Sequence, residues 1–528
     1  MSTDHAVPAL AGMGAIVSED GVGFRVWAPH AQAVSATGGF NDWEAGRTPL
    51  ASEGNGYWYG FDARARVGDE YRFEVVSGDQ RLSKVDPYAA QVTSSVGNGV
   101  IYDHDAFDWE GDDFRCPPHN ELVIYELHIG TFAAEDGDGG VGDLGDASGR
   151  LDHLARLGVN AIQIMPLAEF AGDYSWGYNP AHIFAVESAY GGPDALKRLV
   201  RAAHRRGIAV IQDVVYNHFG PSDLNLWQFD GWSQDGLGGI YFYNDWRSAT
   251  PWGDTRPDYG RGEVRQFIHD NALMWLSAFH LDGLRYDMTP YMRSVNATTM
   301  DIPDGWSLCR WINDDVRARY PDKILIAEDL HSDPAVSSTA PGGAAFHAQW
   351  DAQFVHPVRE ALTVVSDAWR STAEVGTAIA YRYGGDAFAR VVYTESHDEV
   401  ANGRARVPQE IDPDDPTGYY ARKRSTLGAG LVFTAPGIPM IFQGQEFLEG
   451  GWFRDTVPLD WDLDEEFHGI VRLYRDLVRL RRNLAGTTAG LTGQGSWVHH
   501  NNDEANLLAF QRWRDHGPGD DVVVVANL

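Results

Sequence analysis

Cysteine is almost absent, with two in 528 residues, Cys116 and Cys309. That excludes a disulfide framework and any Cys-based metal spacing, and it fits a reducing cytoplasm. Long hydrophobic runs are missing too: nothing approaches the roughly 18 uninterrupted apolar residues of a membrane span. The opening MSTDHAVPAL lacks the basic start and apolar stretch of a secretory signal. Positive charge is scarce, 42 Lys and Arg against 75 Asp and Glu, for a net charge of −33. Such a surface repels nucleic acid and anionic membranes, so neither is expected as a partner, and a neutral or cationic ligand fits better. No glycine-rich loop carries a Walker lysine or follows a strand with dinucleotide spacing, which sets phosphate and nucleotide chemistry aside. Aromatic residues, by contrast, are plentiful, with 18 Trp and 22 Tyr. Their ring faces suit the C–H faces of sugars as well as ordinary cores.

At this length two or three domains are expected. Residues 1–110 contain short alternating runs, GFRVWAP, YWYGFDA and YRFEVVS, broken by Gly, Asp and Asn. They predict an N-terminal β-sandwich. Residues 111–484 alternate strand-like runs with amphipathic helices, as in DALKRLVRAAHRRGIAVIQDVVYNH. Eight such runs occur: LVIYELHI, AIQIMP, AVIQDVVY, GLRYDM, ILIAED, a weaker AAFHAQW, VVYTESHD and IPMIFQGQ. The fold class is therefore α/β, a closed (β/α)₈ TIM barrel. Residues 485–528, with SWVHH, NLLAFQRW and VVVVANL, predict the start of a C-terminal β-domain that stops short at Leu528. DGDGGVGDLGDASG reads as a flexible loop in the first βα unit. The aromatic-rich stretch at about 219–262 reads as an insertion after the third strand. Two readings of it stay open, a wall of the cleft and a self-packed Ω-loop.

In such a barrel chemistry sits at the carboxyl ends of the strands. The third ends DVVYNH, carrying Asp213, Asn217 and His218; the fourth carries Arg285 and Asp287; the fifth ends at Glu328; the seventh ends at His397 and Asp398. Strand periodicity aims Arg285 and Asp287 the same way, a pair for which a core has no use. Paired acids without a metal cluster, phosphate loop or nucleophile elbow point to glycoside cleavage. In a retaining enzyme a nucleophile and an acid/base stand about 5–5.5 Å apart. Asp287 and Glu328, on adjacent strands, are the expected nucleophile and acid/base. Arg285 is expected to hold Asp287 ionised, while Glu328 needs a raised pKa to keep its proton. Asp213, Asn217 and His218 could offer ligands to calcium, but no dense oxygen-ligand loop surrounds them, so no metal or cofactor is expected.

As a set, DVVYNH, GLRYDM, LIAED and TESHDE resemble the four characteristic regions of glycoside hydrolase family 13, the α-amylase clan, over roughly residues 20 to 528. The resemblance implies that Asp287 is the nucleophile, Glu328 the acid/base and Asp398 the transition-state stabiliser. It also implies that Arg285, His218 and His397 grip the sugar, that Asp213 supports this subsite, and that Tyr178 in YSWGYNP is its aromatic platform. The front segment FRVWAPHAQAVSATGGFNDW resembles the carbohydrate-binding sandwich found ahead of the barrel in branching enzymes, isoamylases and trehalose-releasing hydrolases. GGFNDW, KVDPYA, SHDEV, GQEF and PLDWD resemble branching enzymes. YNHFGP, TPWGD and AFHAQWD resemble maltooligosyltrehalose trehalohydrolase, whose usual NHDQ is SHDE here. The expected substrate is an α-glucan or maltooligosaccharide. Transfer to form α-1,6 branches ranks first, hydrolysis second, and glucan binding without catalysis third.

Overall fold

The computed structural model describes residues 10–134 and 140–528. All but the last residue of MSTDHAVPAL, and residues 136–139 of the Gly/Asp stretch, lie outside the described residues. Eight parallel strands close a barrel in chain order: Ile124–Leu127, Ala161–Ile164, Ala209–Val214, Gly283–Tyr286, Ile324–Ala327, Ala348–Trp350, Arg390–Val392 and Ile438–Phe442. Every strand residue is buried, because helices cover the outside of a parallel barrel while side chains fill its interior. The fifth connection departs from the (β/α)₈ repeat. Residues 328–347 carry no helix among the described residues, and the sixth strand is only three residues long.

The reading of DGDGGVGDLGDASG as a flexible loop is corrected over its second half. Leu144–Gly149 is helical: Asp143 Oδ1 accepts from the amides of Gly145 and Asp146 (2.7 and 2.8 Å), and Asp146 accepts in return from the Asp143 amide (3.0 Å). This capping box satisfies the orphan N–H groups of the first turn and outweighs the low helix propensity of glycine.

Ahead of the barrel, seven antiparallel strands between Gly14 and Lys84 form one continuous path, and an eighth, Gly99–Val100, pairs with Glu70–Ser77 off that path. Thr48–Gly54 turns it into two layers: Leu50 pairs with Val34 of one layer and Ala51 with Tyr59 of the other. Phe24 and Phe73 then meet across the layers, their rings 6.5 Å apart. At the other end Gly495–Asn502, Leu507–Trp513 and Val522–Asn527 form a three-stranded antiparallel sheet. It buries Leu508 and Phe510 in one cluster with Leu362 and Val375 of the barrel's helices. No helix among the described residues is long and apolar enough to cross a membrane.

The insertion after the third strand divides its work between the two readings. Its first part is seated on the sandwich. Asp230 accepts from the His30 amide at 2.9 Å, Asn225 from Arg72 at 3.1 Å, and the Trp227 carbonyl from Lys84 at 2.9 Å. Trp232 stacks on His30 (4.8 Å, 11°), and Tyr241 meets Trp27 edge to face. The turn at Thr250–Gly253 faces the mouth of the barrel, as described below.

A buried triad ties the segment between sandwich and barrel to the barrel's underside. His204, last in the helix Gly192–His204, places Nδ1 2.8 Å from Asp112 and Nε2 2.9 Å from Asp282. Burial would discharge this imidazole, but the two carboxylates outweigh it and its pKa lies above the ordinary 6.5. His204→Ala would leave two acids facing each other, and we expect a loss of about 3 kcal/mol of stability. Because the folded pKa is raised, the stabilisation is fully present below pH 6.5 and lost as pH rises through the folded value. The mutant and wild-type denaturant curves should therefore converge as pH rises above 6.5. A deficit that did not change with pH would reject the charged triad.

Candidate active site

The barrel mouth gathers the predicted residues around one guanidinium. Arg285 is fully buried, and strand pairing sets it level with Asp213. Its Nη1 donates to Asp213 Oδ2 (2.5 Å), Asp287 Oδ1 (3.2 Å) and the Tyr178 hydroxyl (3.2 Å). Its Nη2 lies 2.7 Å from Glu328 Oε2, an ion contact without hydrogen-bond alignment. The plane rests 4.3 Å from the ring of Trp350, which ends the sixth strand. The sequence reading paired Arg285 with Asp287; its contacts extend to Asp213 and Glu328 as well. Barrel closure brings three acids within reach of one fork, and Asp287 has the longest of the three carboxylate contacts.

Both oxygens of Asp287 are held. Oδ1 takes Arg285, and Oδ2 accepts from Asn217 Nδ2 at 2.6 Å, while the same amide also reaches the Asp287 carbonyl at 2.9 Å. On Glu328, Oε2 accepts from the Met288 amide (2.9 Å), whereas Oε1 takes no hydrogen bond from the described residues. Burial drives the Glu328 pKa up to about 8, with Arg285 pulling down and the charges of Asp287 and Asp398 pushing up. Glu328 is thus protonated at neutral pH, and Oε1 is the oxygen free to carry the proton. Burial likewise raises Asp213 to about 7 against the pull of Arg285. One cation cannot hold three buried acids ionised together.

The opposite wall comes from the loop after the seventh strand: the strand ends at Val392, so His397 and Asp398 lie five and six residues beyond it and not at its end as the sequence reading placed them. His397 sits between two acids, Nδ1 2.7 Å from Glu126 Oε1 and Nε2 3.2 Å from Asp398 Oδ2. Burial would lower its pKa, but Asp398 and Glu126 raise it well above the ordinary value, so this imidazole is a cation at neutral pH. Burial opposes ionisation of Asp398, yet its histidine neighbour holds the carboxyl below the usual range. Of the three proposed catalytic acids it is the most open, with 42% of its side chain exposed.

Tyr178 reaches the site from the loop between the paired strands Ala168–Phe170 and Pro180–Val186. Its hydroxyl donates to Asp213 (2.7 Å), and its ring lies against His397 (5.1 Å, 24°). His218 is also fully engaged, Nε2 2.9 Å from the Tyr178 carbonyl and Nδ1 2.5 Å from Asn217 Oδ1. All eight predicted residues, Tyr178, Asp213, His218, Arg285, Asp287, Glu328, His397 and Asp398, are therefore brought together. Asp213, Asn217 and His218, weighed above as calcium ligands, each turn to a different protein partner instead.

Two neighbours, Glu126 and Trp350, carried no role in the sequence reading, and a third, Asn217, was weighed only as a calcium ligand. Glu126 is a fully buried acid in the first strand, and an ionisable residue inside the apolar run VIYELHI was the signal for it. Asn217, inside DVVYNH, orients the nucleophile candidate. Trp350 lies in the weakest strand signal of the eight, and nothing local to it marks a cation–π contact.

Residues 12–89 match carbohydrate-binding module 48, the isoamylase N-terminal domain, and residues 127–236 and 254–512 match the alpha amylase catalytic domain. The 1,4-alpha-glucan branching enzyme GlgB of Paramagnetospirillum magneticum is 31% identical over 96% of this chain and 71% of its own length. GlgB of Bacillus cereus is 31% identical over 97% of this chain and 81% of its own. Among solved structures, a type I pullulanase from Bacillus subtilis complexed with maltose superposes with a TM-score of 0.78 at 22% identity, over 98% of this chain and 78% of that one, a likeness of fold. With a catalytic-domain match over more than half its length and its acids at or beyond the ends of the expected strands, this chain belongs to the alpha-amylase family of glycoside hydrolases and transglycosidases, and carries a module-48 domain ahead of its barrel.

Proposed function

We propose that the chain is a retaining enzyme that cleaves α-1,4-glucosidic bonds and transfers the released segment to a glucan 6-hydroxyl, making α-1,6 branches. The observation that carries the chemistry is the unequal treatment of two acids on one guanidinium. Asp287 is hydrogen-bonded through both oxygens, while burial raises the Glu328 pKa to about 8 and its Oε1 takes no hydrogen bond from the described residues. Asp287 attacks C1 of the sugar lying on Tyr178. The C1–O4 bond breaks, and O4 leaves with the proton from Glu328, giving a covalent glucosyl–Asp287 ester. Glu328, now a carboxylate, takes the proton of the incoming 6-hydroxyl. That oxygen bonds to C1, and the ester bond breaks. Asp398, ionised beside the His397 cation, stabilises the positive charge that builds on the ring in both steps. The choice of acceptor is supported by the GlgB relatives, which align along nearly the whole chain.

Incubation with amylose, and separately with maltooligosyl trehalose, tests the assignment. The expected result is new α-1,6 linkages with little net gain of reducing ends. Free trehalose or a stoichiometric rise in reducing ends would make the enzyme a hydrolase, and binding without either product would reject catalysis.

A further inference from the structure

Resting on that reading, we propose that Trp252 is the platform of the acceptor glucan, the residue that seats an incoming chain and keeps water from the glucosyl ester. Trp252 sits at the tip of the insertion's turn, 37% exposed, with its indole stacked on His218 (4.5 Å, 14°) and edge-to-face with Tyr291 (5.2 Å, 76°). Tyr291 lies four residues beyond Asp287, in the short helix Pro290–Arg293 that follows the fourth strand. The two rings therefore rise beside the strands that deliver Asp287 and Glu328. The Tyr178 ring and the His397–Asp398 pair stand on the other side, toward the seventh strand. If the sugar being transferred lies on Tyr178, the acid/base must face the departing glucan, and Trp252 with Tyr291 offer that glucan, and the one that replaces it, an aromatic wall beside the strand that delivers Asp287.

The turn is built to hold this indole still. Thr250 and Gly253 exchange backbone hydrogen bonds (2.9 and 3.3 Å), the Thr250 hydroxyl donates to the Gly253 carbonyl (2.7 Å), and Gly253 takes φ +138°, a conformation L side chains rarely adopt. Beneath it, the fully buried Arg256 donates to the carbonyls of Arg247 and Ala249 (2.7 and 2.6 Å). The rest of the insertion is clamped to the N-terminal sandwich through Asp230, Asn225 and Trp227. The turn, fixed from both sides, holds the indole beside the site, and a flat apolar face of this kind matches a glucose ring. A pre-fixed platform also spares the binding of the acceptor the ordering of a loop.

The test measures, on amylose, new α-1,6 linkages per new reducing end for wild type, Trp252→Ala and Trp252→Phe. In parallel, transfer is followed against the concentration of a labelled maltooligosaccharide acceptor. For the alanine variant we expect the ratio to fall by about tenfold or more, and half-saturation by acceptor to rise by a similar factor, the effect of losing one stacking contact of about 1.4 kcal/mol. Trp252→Phe, which keeps a ring, should recover most of both. An alanine variant that branches at the wild-type ratio, or one that loses branching and hydrolysis in equal proportion, overturns the proposal, as does a phenylalanine variant no better than alanine. Wild-type protein that only hydrolyses would instead refute the transfer reading itself, and the acceptor role with it.

Discussion

Replacing Asp287 by alanine is expected to lower turnover of amylose by about 10⁴-fold or more, with a thermal midpoint no lower than that of the wild type. The rate loss follows from the proposed covalent step, in which Asp287 is the attacking group. The unimpaired stability follows from electrostatics. Asp213, Asp287 and Glu328 share one buried guanidinium, and the Asp287 charge helps push the pKa of both others upward. Removing it relieves like-charge crowding and leaves Arg285 two acids to pair with. A companion measurement is the disappearance of the covalent glucosyl adduct by mass spectrometry after rapid quench. An Asp287→Ala protein that still turned over within tenfold of the wild type would place the nucleophile elsewhere, and one that unfolded would be replaced by Asp287→Asn before the role was judged.

Glu328→Gln should cost about 10³-fold on amylose but much less on a glucosyl fluoride, whose departing group needs no proton. The raised pKa adds a pH signature. Catalysis uses the protonated acid, so kcat/KM of the wild type should fall as pH climbs through about 8, and the glutamine variant should lack that limb. The same shift acts on stability with a definite sign. A carboxyl raised from its ordinary 4.5 to about 8 favours the folded state at low pH, and that contribution is lost as pH rises between those values. Glutamine cannot ionise, so its melting temperature should gain on the wild type from pH 5 to pH 8. Equal losses on both substrates would remove the acid role, and an unchanged alkaline limb would assign the titration to another group, with Asp213 the nearest candidate.

Much of this was legible in the linear chain because the barrel repeats a local pattern. Each strand is a short apolar run, each covering helix is amphipathic, and the polar residues that interrupt a run at its carboxyl end stand where a packed interior cannot accept them. Arg285 and Asp287 could be placed on one side from their spacing alone, since strand periodicity is two. The Gly/Asp stretch was misread because a reciprocal aspartate cap is a stronger local signal than two glycines are a weak one. The missing helix after the fifth strand left no mark that could be told from a long loop.

The sequence by itself determined the class of fold, the order of the strands and which acids and histidines end or follow them, because these depend on contacts within some thirty residues. Only the tertiary structure decided how charge is apportioned among those acids, because that depends on which groups share one buried cation. It alone set Glu126 against His397 across 271 positions and seated the insertion on the sandwich 200 positions before it. Such pairings are consequences of closing the barrel. No periodicity in the chain encodes a contact made between its first strand and the loop after its seventh.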